Sequence, residues 1–195
     1  MRKLAGLAVA AAMGVMGAAG TMTPALAQMS GGASGMQAHS AAKQPPLSPS
    51  AKASVMVGGA TITINYSAPS MRGRKIFGGL VPYGEVWRTG ANAATTLKTS
   101  ANLKIGTLSV PAGTYTLYSL PSADAWKLIV NKQTGQWGLD YHADKDLGRV
   151  DMKVTKNAAP VEKMKIEFEH TKASETELHI VWADLNLSVP VTVEK

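Results

Sequence analysis

The residues best placed to do chemistry lie in one stretch, Ser70 to Leu97, which reads SMRGRKIFGGLVPYGEVWRTGANAATTL. Arg72, Arg74, Lys75 and Arg88 alternate there with five glycines and with Phe77, Tyr83 and Trp87, and Glu85 is the one acid. Too glycine-rich for a helix and too long for a turn, the stretch is expected to be a structured loop. An arginine presents a planar fork of N–H donors that fits a carboxylate, sulfate or phosphate and stacks on aromatic faces. Arg72, Arg74 and Arg88, with the rings of Tyr83 and Trp87, the amide of Asn92 and the carboxylate of Glu85, therefore make a candidate pocket for a small anionic or carbohydrate-like ligand or a partner surface. A purely structural role uses the same groups: Arg88 pairs with Glu85, Arg74 lies over Tyr83 or Trp87, and Asn92 caps loop carbonyls. On sequence grounds both readings stay open. Trp137 and His142, in a second irregular stretch from Lys132 to Gly148, are placed to close over the first.

Other chemistries find less in the chain. No two of His142, His170 and His179 stand in a recognised ligand spacing, and strand alternation sets His170 and His179 on opposite faces. Asp140, Asp144 and Asp146 lack the glycine and the terminal glutamate of a calcium loop. The expectation is no metal and no cofactor. There is no cysteine and no Gly-x-Ser-x-Gly elbow, and nothing brings a serine, a histidine and an aspartate together. An envelope-associated hydrolase using Glu85 or His142 as acid or base is the alternative to a non-catalytic binding module, and a purely structural envelope protein is a third reading.

The formal net charge is +7. Between Ser48 and Ser100 six lysines and arginines face Glu85 alone, whereas from Ala101 onward the signs nearly balance. The positive field thus belongs to the opening part and favours anionic ligands there. So few cations neutralise too few phosphates for nucleic acid to be an expected partner.

The chain opens MRKLAGLAVAAAMGVMGAAGTMTPALAQ, with Arg2 and Lys3, a weakly apolar run and then Ala25, Leu26 and Ala27. This is the pattern of a secretory signal over residues 1–27. Gly14, Gly17, Gly20 and Pro24 speak against a retained anchor, and no later stretch is apolar enough to span a bilayer. The expected location is periplasmic or secreted. Residues 28–50 mix Gly, Ser, Ala, Gln and Pro and read as a disordered linker, leaving 51–195 as one folded domain. Without cysteines that domain must rest on an ordinary hydrophobic core.

Positioning falls to strands. Gly58 and Gly59 divide two short runs as a hairpin turn does, and in Thr61 to Ser67 the residues Ile62, Ile64 and Tyr66 share one face. Further alternating runs span Ala93–Thr99, Asn102–Ile105, Thr107–Val110, Thr114–Leu120, Trp126–Asn131, Arg149–Thr155, Val161–Thr171, Leu178–Trp182 and Leu187–Val193. No segment after the signal sustains helical spacing. The fold class is all-β: an antiparallel sandwich or partly closed barrel of about ten short strands. Pro190 predicts that the last strand lies at an edge, since it lacks a ladder N–H.

The run YSAPSMRGRKIFGGLVPYGEVWRTGANAATTL, followed by VPAGTYTLYSLP, WKLIVN and a Trp-Gly before a tyrosine, resembles the bacterial family known as domain of unknown function 2911. The resemblance covers roughly Leu47 to Lys195, and its signature falls on Tyr66, Pro69, Gly73, Arg74, Phe77, Gly78, Trp87, Arg88, Gly90, Ala91, Asn92 and Thr95. It implies an exported, β-rich bacterial domain and leaves the chemistry open.

Overall fold

The computed structural model describes residues 46–194; the expected signal, and the expected linker up to residue 45, lie outside the described residues. Paired glycines make the first hairpin. Strands β1 (Ser50–Val57) and β2 (Ala60–Ser67) pair antiparallel across Gly58 and Gly59, whose φ of 57° and 79° are those of a tight two-residue turn. Strand β3 (Thr95–Thr99) follows the long basic loop, β4 (Leu103–Ile105) and β5 (Leu108–Val110) form a small hairpin about Gly106, and β6 (Gly113–Pro121) and β7 (Trp126–Asn131) form another.

The last two strands are long. β8 (Asp146–Glu169) and β9 (Glu175–Val193) each merge two runs that the alternation separates. Continuity survives because the breaks are absorbed locally: β8 shifts register between Lys156 and Val161 and again before Lys165, and β9 bends at Ala183, whose φ is +49°. Among the described residues the result is nine strands in one unclosed antiparallel sheet, in the order β1-β2-β3-β6-β7-β8-β9-β4-β5.

β8 belongs to both halves of this sheet, pairing with β7 through Met152 and with β9 from Lys153 onward. The sheet folds there, and its two inner faces share one core. Ile62, Ile64, Leu97, Leu117, Leu128 and Val150 from one half meet Leu103, Ile105, Met164, Ile180, Trp182 and Val189 from the other, all 2 % exposed or less. Burying each such side chain contributes about 1.5–3 kcal/mol.

Pro190 does not mark an edge. β9 lies between β8 and β4, and Pro190 falls in the gap between its last pairing with β8, at Ser188, and its first with β4, at Val191. No ladder bond is asked of its nitrogen there, so an interior strand tolerates it.

Lys132 to Lys145, with a single 3-10 turn at Ala143–Lys145, covers the outer face of β6. Gln136 Nε2 donates to Thr116 Oγ1 and to the Tyr118 hydroxyl, and the ring of Tyr141 packs edge-on against Tyr118 at 4.9 Å. The Tyr141 hydroxyl donates to Asp146 Oδ2 at 2.7 Å, and Arg149 donates to both of them. Burial, then the hydrogen bond and charge of Asp146, push the Tyr141 phenol up to about 12, with Arg149 opposing. The folded state therefore holds this proton more tightly than the unfolded chain, whose phenol ionises near 10.0. Stability from this group is full below that value and is lost as pH rises through about 12. A spectrophotometric titration is expected to show a phenol ionising near pH 12 that disappears in Tyr141→Phe.

Candidate functional site

The basic loop is stitched down along its length by isolated bridges, Ser70 to Lys163, Phe77 to Val81, Trp87 to Ser119 and Ala93 to Trp137. Its apolar residues plug one end of the folded sheet: Ile76, Phe77 and Val81 are buried, and Phe77 packs edge-on against Trp126 at 5.1 Å and Trp182 at 6.1 Å. Trp87 joins them. Its ring stacks on Trp182 at 5.9 Å and meets Trp126 edge-on at 6.3 Å, so the tryptophan expected as a ligand platform is partly buried and packs against the core cluster. Backbone bonds in both directions between Trp87 and Ser119 fix it there.

The arginines part company. Arg72 donates from its backbone N–H to Glu162 Oε1 and from Nη2 to the Leu47 carbonyl. Asn92, with φ of +60°, reaches the Ser48 carbonyl at 3.4 Å, so these two side chains hold the chain just before β1 against the loop. Arg88 runs its stem over Gly138 of the second loop, and Gly138 N donates to the Asn92 carbonyl at 3.1 Å. The two loops do meet, through backbone and the Arg88 stem. Trp137 remains 52 % exposed beside this seam. Glu85 and His142 are exposed, and among the described residues Glu85 forms no ion pair with Arg88.

Arg74 goes elsewhere. Its Nε and Nη2 donate to the carbonyls of Met71 and Ser70 at 2.9 and 2.7 Å, which fixes the guanidinium and leaves its other N–H groups free for a ligand. It lines a cleft of about 440 Å³ with Lys75, Tyr83, Lys156 and Asp184, over a floor that includes Ile76 and Phe77. The far wall is where the pairing of β8 with β9 shifts register, and Asn157 Nδ2 holds that irregularity by donating to the carbonyls of Ala183 and Leu185. Tyr83 takes its place because Gly78, at φ of +68°, has no side chain: a Cβ there would lie 2.8 Å from the Tyr83 ring. Three cations thus face one carboxylate in a space of ligand size.

Of the residues singled out along the chain, Arg74 and Tyr83 line this cleft, whereas Arg72, Trp87, Arg88, Asn92, Trp137, Glu85 and His142 do not. Lys156 and Asp184 are the residues that spacing missed. The one available signal was the loss of alternation at Lys156 to Pro160 and at Asp184, which marks irregular backbone without saying that the two irregularities adjoin. A second hollow, of about 450 Å³ over β1 to β3, is lined by Lys52 as its one cation. The expectation that His170 and His179 project to opposite faces also fails, because φ at His170 is +53° and breaks the alternation.

A family model described as a protein of unknown function, DUF2911, matches residues 48–191. No curated protein and no solved structure matches the chain.

Proposed function

The chain belongs to the DUF2911 family, whose description assigns no activity, and from its own geometry we propose an exported, non-catalytic binding module for a small anionic ligand. The ligand class is a carboxylate or phosphate, a sugar acid included. One observation carries the reading: Arg74, Lys75 and Lys156 converge on a 440 Å³ cleft against Asp184 alone, with the Tyr83 ring to cover an apolar face of the ligand. A preset guanidinium fork suits a carboxylate or phosphate bidentately, and the two lysines add charge without fixing geometry. Export rests on the opening signal pattern. The hydrolase alternative loses its named groups here, since Glu85 and His142 lie outside the cleft.

Inorganic phosphate and glucuronate are suitable probes, read by thermal shift and calorimetry. The expected result is saturable binding that weakens as salt rises and falls about tenfold or more in Arg74→Ala and in Lys156→Ala, the size of one charge-assisted hydrogen bond. Lys52→Ala, in the other hollow, is expected to leave it unchanged. Binding that persists in the Arg74→Ala, Lys156→Ala double variant overturns the assignment of this cleft.

A further inference from the structure

Away from the cleft, the end of the β8–β9 hairpin gathers two carboxylates and two imidazoles. Glu169 and Glu177 are direct cross-strand partners, so two like charges share a face and oppose each other, which costs stability unless a cation joins them. His179, two residues along β9 from Glu177, projects from that same face. His170 follows the last residue of β8, and its left-handed backbone turns it back so that its ring lies 6.0 Å from that of His179. His179 Nε2 stands 3.6 Å from Glu169 Oε2 and 3.3 Å from Glu177 Oε2, and His170 Nε2 stands 3.8 Å from Glu169 Oε2.

Two facts single out His179. Its side chain is 7 % exposed, and its Nε2 has no hydrogen-bond partner among the described residues. At the rear of the ring Nδ1 lies 2.9 Å from Asn186 Oδ1. An oxygen acceptor there requires Nδ1–H to donate, so in the neutral ring Nε2 is the nitrogen that carries the lone pair and can ligate a metal. A metal ion resolves both the unpartnered nitrogen and the opposed glutamates, and a hydrogen-bonded rear N–H is the usual support of a ligating histidine.

We infer that Glu169, His170 and His179 bind a divalent transition-metal ion of the Zn²⁺ class, with Glu177 beside His179 to complete four donors. The ligand atoms of the first three lie within 4.8 Å of one another. Bonds of about 2.0–2.1 Å in a tetrahedron set donors about 3.3–3.4 Å apart, so the present gaps close around an ion through small side-chain rotations. Two imidazoles with carboxylates select Zn²⁺ or Cu²⁺ over Ca²⁺ and Mg²⁺, which call for more oxygen ligands. The ion acts as a staple. Gly58 N donates to the Ala173 carbonyl and Val193 N to the Ser174 carbonyl, so the turn it secures is the one against which the first hairpin and the end of β9 rest. A chain without cysteines has no disulfide to do this.

The test uses the full chain stripped with a chelator, titrated with Zn²⁺ alone by calorimetry and with Co²⁺ for its visible absorption. Expected are one Zn²⁺ per chain, a Tm that climbs with free Zn²⁺, and a Co²⁺ spectrum of four-coordinate intensity. His170 is 67 % exposed, so His170→Ala tests the site without disturbing the core, and it is expected to weaken Zn²⁺ binding by about 100-fold or more. Asn186→Ala, which removes only the rear support, is expected to weaken it by about 10–100-fold. The site is overturned if the full chain takes up no stoichiometric Zn²⁺, or if uptake is unchanged in both His170→Ala and His179→Gln, which would put the ion at other residues.

Discussion

Trp182→Ala is expected to cost about 3–5 kcal/mol of unfolding free energy, the range for truncating a buried tryptophan and a large share of the roughly 5–15 kcal/mol a domain possesses. Trp182 is 1 % exposed, stacks on Trp87, meets Phe77 edge-on and donates its indole N–H to the Glu162 carbonyl at 3.2 Å. Its removal opens a cavity under the basic loop and takes one of two donors from that carbonyl, which keeps the Met71 N–H at 2.8 Å, so the cavity and the lost ring contacts carry the effect. Urea unfolding followed by circular dichroism is the measurement, since fluorescence would change with the indole itself. Trp87→Ala is expected to follow in the same direction with a smaller loss, because that ring is only partly buried. A change under about 1 kcal/mol for Trp182→Ala would mean that the four-ring cluster is not the centre of this core.

Gly138→Ala carries the second large effect, about 2–3 kcal/mol at the seam between the two loops. A Cβ on Gly138 would lie 2.7 Å from the Asn92 carbonyl and closer still to Arg88 Cδ, so backbone has to move as well as side chain. The Gly138 N to Asn92 O hydrogen bond runs through the same point and would lengthen with it. Gly135 in the same loop is the control: with φ of +82° and no heavy atom within 4 Å of an added Cβ, Gly135→Ala should cost about 1–2 kcal/mol from backbone strain alone. Equal losses at the two positions would remove the seam as the reason.

Much of the sheet is legible along the chain. Thr61 to Ser67 alternates and is a strand, Gly58 and Gly59 turn the first hairpin, and Gly106 separates β4 from β5, because each of these is decided by a few neighbouring residues. The candidate site is legible in part. Arg74 and Tyr83 share a cleft, yet Lys156 and Asp184 reach it from strands far along the chain, and the Arg88 stem is drawn to Gly138 instead. Nothing in the spacing of Trp87 tells a ring that stacks on a ligand from one that stacks on Trp182.

By itself the sequence determined an all-β chain without disulfides, cationic in its opening part and gathered in a glycine-rich loop, since composition and a period of two are local properties. Only the tertiary structure decided that β8 and β9 run unbroken through their irregularities, that Trp87 faces inward, and that His170 and His179 meet across a hairpin end. Those outcomes turn on single residues with left-handed backbone, Ala183 and His170, and on which distant surfaces come to lie together when the sheet folds over its core. A period-two pattern carries no record of either.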